Sequence, residues 1–215
     1  MHRAWCGAQY AAPRAVDRDC SCGDGNRRVT LVVTRCRTAV LDTELRACVL
    51  ALCADAYEED LSPYLDDIGE GEHLLGWQDG ELVSHLMWVE RLLYRDRSSV
   101  AQRPALRSAY IELVATAPSQ QGRGHASTLM RAAAAALGDF DVGALSPSDE
   151  AFYARLGWER WHGPLFVRGQ AEGSDREAWE PTPDEEIMIL RLPRTPSELD
   201  VHAPLAVDWR PGEVW

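Results

Sequence analysis

The chain has 215 residues, 46% of them hydrophobic and 26% charged, with a formal net charge of −12. That length suits one domain with appendages, or at most two small ones, and that composition excludes a disordered polymer. The acidic balance argues against a nucleic-acid binder, which needs a basic footprint, and no apolar run reaches the ~20 residues of a membrane span. An acidic surface also attracts cationic ligands.

Residues 1–28 are rich in Gly, Arg, Asp and Cys, lack periodicity and hold no apolar signal-peptide core. They read as a disordered extension, and the expected compartment is the cytoplasm. The cysteines are Cys6, Cys20, Cys22, Cys36, Cys48 and Cys53, with no Cys-x-x-Cys pair. Cys36, Cys48 and Cys53 read as small buried hydrophobes, and no metal site is expected. Residues 28–37 alternate well enough for a strand. Asp42 is a fitting N-cap for a helix whose stripe is Leu45, Val49, Leu50, Cys53 and Ala54. A second, short helix follows over 62–68.

Residues 73–78 and 81–94 read as two strands joined at Asp79-Gly80, a strong hairpin signal. A polar loop over 95–103 leads to an apolar strand at 107–117, buried on both faces but interrupted by Glu112. Pro118 and Ser119 end it. Next come Gln121, Gly122, Arg123, Gly124, His125 and Ala126, then a helix to Leu137 carried by the alanines at 132–136 and stopped by Gly138. Residues 140–145 are a further buried strand. Ser146-Pro147-Ser148 caps a short helix through Leu156. Residues 159–168 and 186–192 are the last strands, with loop between them. The stretch 193–215 is aperiodic and proline-rich, expected to wrap over the surface.

The glycine spacing has a physical meaning. A helix start offers unpaired N–H groups and a positive dipole end, and glycines admit an anion to them. There is no Lys-Ser/Thr pair of a P-loop and no third glycine of a dinucleotide fingerprint. Gln121, Gly124 and Ala126, between strand and helix, instead resemble the acetyl-coenzyme A loop of the GCN5-related N-acetyltransferase (GNAT) superfamily. The resemblance covers residues 29–192 and implies an α/β (α+β) GNAT fold, a mixed central sheet flanked by helices, with 193–215 as a tail that contributes to the substrate site. Four segments are more specific: Gly143-Ala144-Leu145-Ser146, Gly157-Trp158, Trp161-His162-Gly163-Pro164 and the stretch from Asp208 to Trp215. Together they look like the aminoglycoside 2′-N-acetyltransferases.

That resemblance implies direct transfer of acetyl from acetyl-CoA to the 2′-amine of a cationic sugar, antibiotic resistance, and a homodimer. An amine must be neutral to attack, and Glu112 is the expected general base, through a water. The matching Phe152–Trp158 pattern makes Tyr153 the general acid to the thiolate. The strand is bulged in the resembled family, so backbone N–H groups near Val114 are expected to hold the thioester oxygen. Val114, Ala115 and Thr116 are expected to pair with the pantetheine arm. Gln121, Gly122, Arg123, Gly124, His125 and Ala126 are expected on the pyrophosphate, with Arg123 the one charged group of that loop. Asp60, Asp66, Glu112, Asp184, Glu185, Glu213 and the carboxylate of Trp215 are the expected acidic partners of the aminoglycoside, and Ser146 a hydrogen-bond donor. Glu213 stands where the family usually has Asp, and residues 58–67 depart from its pattern. Two alternatives stay open: acetylation of another small amine or polyamine, and a module that binds coenzyme A or a polycation without turnover.

Overall fold

The computed structural model describes residues 30–95, 105–169, 178–211 and 214–215. The extension 1–28 lies outside that set, as do most of the polar loop at 95–103 and Glu213. The first elements are β1 (Val32–Arg37), α1 (Thr43–Tyr57) and α2 (Ser62–Ile68). The α1 start is the expected one: Asp42 Oδ1 accepts from the Leu45 N–H at 2.8 Å, satisfying a donor that the helix leaves orphaned. The hairpin β2 (Glu72–Gln78) and β3 (Glu81–Tyr94) turns on Asp79 (φ 52) and Gly80 (φ 84). Two left-handed residues match the twist of the flanking strands. Then come β4 (Leu106–Thr116), α3 (His125–Ala136) and β5 (Val142–Leu145).

The next helix, α4, is shorter than expected. It spans Glu150–Ala154, and its cap is Asp149, which accepts from the Phe152 N–H at 3.1 Å. Pro147 disfavours helical backbone at Ser146, and the capping carboxylate lies two residues after Pro147. Residues 159–168, expected as one strand, split into β6 (Glu159–Arg160) and β7 (Leu165–Arg168). The break falls at Gly163-Pro164, where the chain runs so close to Ala203 that a Cβ on Gly163 would collide with that carbonyl. Beyond lie β8 (Trp179–Pro181), inside a stretch expected to be loop, and β9 (Met188–Arg191). The tail does not merely wrap the surface: residues 205–208 form β10 (Leu205–Asp208), with Leu205, Ala206 and Val207 buried.

Among the described residues, all ten strands join one mixed sheet. β1 to β4 run antiparallel, β4 and β5 are parallel across α3, and β9 then β6 continue beyond β5. The outer edge of β3 is shared. β2 covers it up to Trp88, and β10 pairs with Leu93 and Tyr94. β7 lies parallel to β10, and β8 antiparallel to β7.

Apolar side chains pack on both faces. Leu45, Val49 and Leu52 of α1 and Leu65 of α2 cover one, with Tyr110, Leu113 and Ala115 of β4 beneath them. Leu129, Met130 and Ala133 of α3 cover the other, over Ala109 and Ile111. Strict alternation would put residues 110, 112 and 114 on the α1 face. Instead Leu113 and Ala115 join Tyr110 there, because β4 is bulged: the pairing slips between His85/Met87, and Leu113 takes φ 51.

Candidate active site

The bulge, the glycine loop and α4 meet around one cleft of about 630 Å³. Val114 and Thr116 line it from β4, as do Gln121, Gly122, Gly124, His125 and Ala126 from the loop and the first turn of α3. Ser148, Asp149, Phe152 and Tyr153 line it from the α4 side. The fold brings these five loop residues and Tyr153 together. Ala115 and Arg123 are not among the lining residues. Ala115 falls on the α1 face because the bulge reverses its side, and Arg123 is exposed.

The α3 terminus suits an anion. Gly124 (φ 83) precedes the helix without a side-chain cap, so the N–H groups of its first turn have no partner inside the helix. The place of a Cβ on Gly122 or Gly124 is clear of other atoms within 4 Å. His125 Nε2 is buried without a hydrogen-bond partner, and burial, seconded by Arg123, holds that imidazole below its ordinary pKa. The carbonyls at the end of β4 already accept protein donors: Val114 from the Tyr57 hydroxyl at 3.2 Å, Ala115 from Ser84 Oγ at 2.9 Å, and Thr116 from Gln121 Nε2 at 3.3 Å. Tyr153 is buried, with edge contacts to Phe152 and Trp158. Burial pushes its phenol up, opposed by a hydrogen bond with Ser148 and helped by the charge of Asp149.

Glu112 lies on the other side of the bulge and does not line this cleft. Its side chain is 7% exposed. The Arg210 guanidinium donates to Oε1 at 2.5 Å and the Tyr64 hydroxyl to Oε2 at 2.9 Å. Burial pushes the Glu112 carboxyl above its ordinary range, and Arg210 and Tyr64 oppose that rise. Arg91 is close by. Its guanidinium stacks 5.2 Å from the Tyr110 ring centre and donates to the carbonyls of Val214 and Asp208. Sequence reasoning missed Tyr64, Arg91 and Arg210. Arg210 sits inside the tail motif, but nothing in a linear motif shows that its charge turns inward.

The remaining acids are scattered. Asp60 is exposed, and its Oδ1 accepts from the N–H and hydroxyl of Ser62 at the start of α2. Asp66 is mostly exposed and pairs with Arg46. Asp184, Glu185 and Ser146 are exposed. Glu213 lies outside the described residues. The Trp215 ring is a core element rather than an open wall: it is 1% exposed, and its indole N–H donates to Thr182 Oγ1 at 2.9 Å. Among the cysteines, Cys53 is buried as expected, whereas Cys36 and Cys48 are half-buried. Among the described residues, no three His, Cys, Asp or Glu side chains group to hold a metal ion, and no helix is long and apolar enough to cross a membrane.

Residues 42–161 match the model of the acetyltransferase (GNAT) domain. Over 189 residues the chain is 36% identical to an aminoglycoside 2′-N-acetyltransferase from Mycolicibacterium fortuitum, covering 83% of this chain and 89% of that one. The chain belongs to the GNAT acetyltransferase family. Among solved structures, this acetyltransferase shares its fold with the GNAT family N-acetyltransferase YhbS of Escherichia coli, determined in complex with CoA. That match has a TM-score of 0.56 at 14% identity and covers 86% of this chain and 93% of that one. ElaA of Escherichia coli gives 0.50 at 18% identity over 75% of this chain and all of that one. The acetyltransferase uses acetyl-CoA, as its family does. Its cleft suits that co-substrate: unpaired helix amides, glycines open to the approach of phosphate, and an orphaned imidazole nitrogen.

Proposed function

We propose that this acetyltransferase moves the acetyl group of acetyl-CoA directly onto the 2′-amine of an aminoglycoside, within a ternary complex, and so confers resistance. The observation that carries this reading is the 36% identity, across 83% of the chain, to a protein named for that activity. The site is consistent with it. The first-turn amides of α3 and the 121–126 loop hold the pyrophosphate, and Val114 and Thr116 run beside the pantetheine arm. The Val114 N–H meets the acetyl oxygen as negative charge develops there. Glu112 takes the amine proton through a water, and Tyr153 returns a proton to the departing sulfur.

Arg210 holds Glu112 in the structure, so the base acts once that guanidinium has moved off. An aminoglycoside ammonium carries the same charge and competes for the same carboxylate. Asp60, Asp66, Asp184, Glu185, Glu213 and the Trp215 carboxylate supply further acidic contacts, and Ser146 a hydroxyl. The reading includes a cytoplasmic homodimer. Light scattering measures that state.

The deciding experiment is thiol release from acetyl-CoA with tobramycin, kanamycin B and gentamicin, followed by location of the acetyl group by NMR. Turnover is expected with these, and none with scaffolds bearing a 2′-hydroxyl. Acetylation of the latter would overturn the regiochemistry.

A further inference from the structure

Behind the bulge lies a buried chain of hydrogen bonds that the reaction as described does not use. His85 Nδ1 is 3.0 Å from the Leu113 carbonyl oxygen. A carbonyl accepts only, so Nδ1 carries the proton. His85 Nε2 is then an acceptor, 2.9 Å from His73 Nδ1, which must donate. His73 Nε2 is then an acceptor facing the Thr38 hydroxyl at 3.0 Å, whose one proton the Gly71 carbonyl at 3.2 Å also draws. Both rings are fully buried, and burial holds both well below the ordinary imidazole pKa, so both are neutral. The Cys53 sulfur also lies 3.8 Å from His85 Nδ1, but a thiol is a weak donor, and the carbonyl at 3.0 Å sets the direction of the chain. Its end is the carbonyl of Leu113, the residue at φ 51.

That carbonyl belongs to the same peptide unit as the Val114 N–H. The unit is trans, so the two point in opposite directions. A carbonyl drawn toward His85 on β3 therefore turns the Val114 N–H away from β3. On that side β5 pairs with β4 at Ser108, Ala109 and Tyr110 and has diverged by Val114, which lines the cleft with Tyr153.

We infer that His85, oriented by His73, is a positioning residue that holds the Leu113–Val114 peptide with its N–H facing the acetyl group. The inference rests on the acetyl-transfer reading above. Neither histidine touches substrate. A leucine at positive φ is strained, so the bulge keeps this peptide orientation because His85 grips it. In the opposite tautomer of His85, a lone pair would face the Leu113 carbonyl and release it.

The test compares wild type with His85→Leu, which removes the donor, and His85→Asn, whose amide N–H stands where Nδ1–H stood. His85→Leu is expected to lower kcat on tobramycin by ~10²-fold, the scale of a misplaced reacting group, with KM little changed, and His85→Asn to recover most of it. In ¹⁵N-labelled protein, acetyl-CoA is expected to shift the Val114 amide resonance in wild type and His85→Asn but not in His85→Leu. A His85→Leu enzyme at the wild-type rate, or an equal Val114 shift in both variants, overturns the inference. If His85→Leu does not fold, His73→Leu carries the same measurements, because without the His73 donor the His85 tautomer is no longer determined. Wild type that is inactive on tobramycin, yet shows the Val114 shift lost in His85→Leu, sinks the aminoglycoside reading and upholds the positioning role.

Discussion

Glu112 is placed where its surroundings pull in two directions. Burial favours the neutral acid, and Arg210 favours the carboxylate. Removing the carboxylate with Glu112→Gln is expected to lower kcat by ~10²–10⁴-fold, and Tyr153→Phe by the same order, in steady-state assays with tobramycin. Arg210→Gln tests the electrostatics. Arg210 lowers the Glu112 pKa, so its loss raises it, and a base must be ionised to act. The acid limb of kcat/KM is therefore expected to move to higher pH. The two buried histidines give a stability signature. Burial lowers His73 from 6.5 to about 4, with Glu72 opposing and Arg46 assisting, and lowers His85 to about 3, with His73 assisting and the Leu113 carbonyl opposing. Both must charge at low pH, and the unfolded chain binds those protons first. Stability is thus fully present above about 6.5 and lost as pH falls toward 4 and 3. For His73 alone the loss is about 3 kcal/mol, which replacing the residue by Asn should remove from a plot of Tm against pH.

At the scale of elements, α1 and the glycine loop were legible because local chemistry specifies them. Asp42→Ala is expected to cost ~1 kcal/mol in chemical denaturation, since the Leu45 N–H loses its acceptor. Gly124 stands at φ 83 in open space, so Gly124→Ala adds no clash but strains the backbone by ~1–2 kcal/mol. It should weaken acetyl-CoA binding in calorimetry while the fold persists. The opposite case is Gly163, where a methyl group meets the Ala203 carbonyl. The hairpin turn at Asp79-Gly80 was readable in the same local way. β10 was not: four residues give too few alternations to separate a strand from a loop, and its partners are β3 and β7.

At the scale of the molecule, the C-terminal segment is built into the sheet. β10 joins the distal end of β3 to β7, Arg91 grips the carbonyls of Asp208 and Val214, and the Trp215 ring fills the core. Trp215→Ala is expected to cost about 3–5 kcal/mol, the range for emptying a large buried aromatic site, as read from denaturation midpoints. Assembly at this scale also brings Arg210 to Glu112, 98 residues apart in sequence, and Tyr64 to the same carboxylate from α2.

The order of strand, glycine loop and helix, the capped α1, the β2–β3 hairpin and the family itself were determined by the sequence alone. Each depends on residues near one another in the chain, where propensity, turn geometry and motif spacing act directly. Tertiary structure decided the rest: the inward turn of Arg210, the burial of Trp215, the place of β10 inside the sheet and the tautomers of His73 and His85. These depend on which distant side chains share a low-dielectric interior, and a buried donor must find whichever acceptor the packing brings to it.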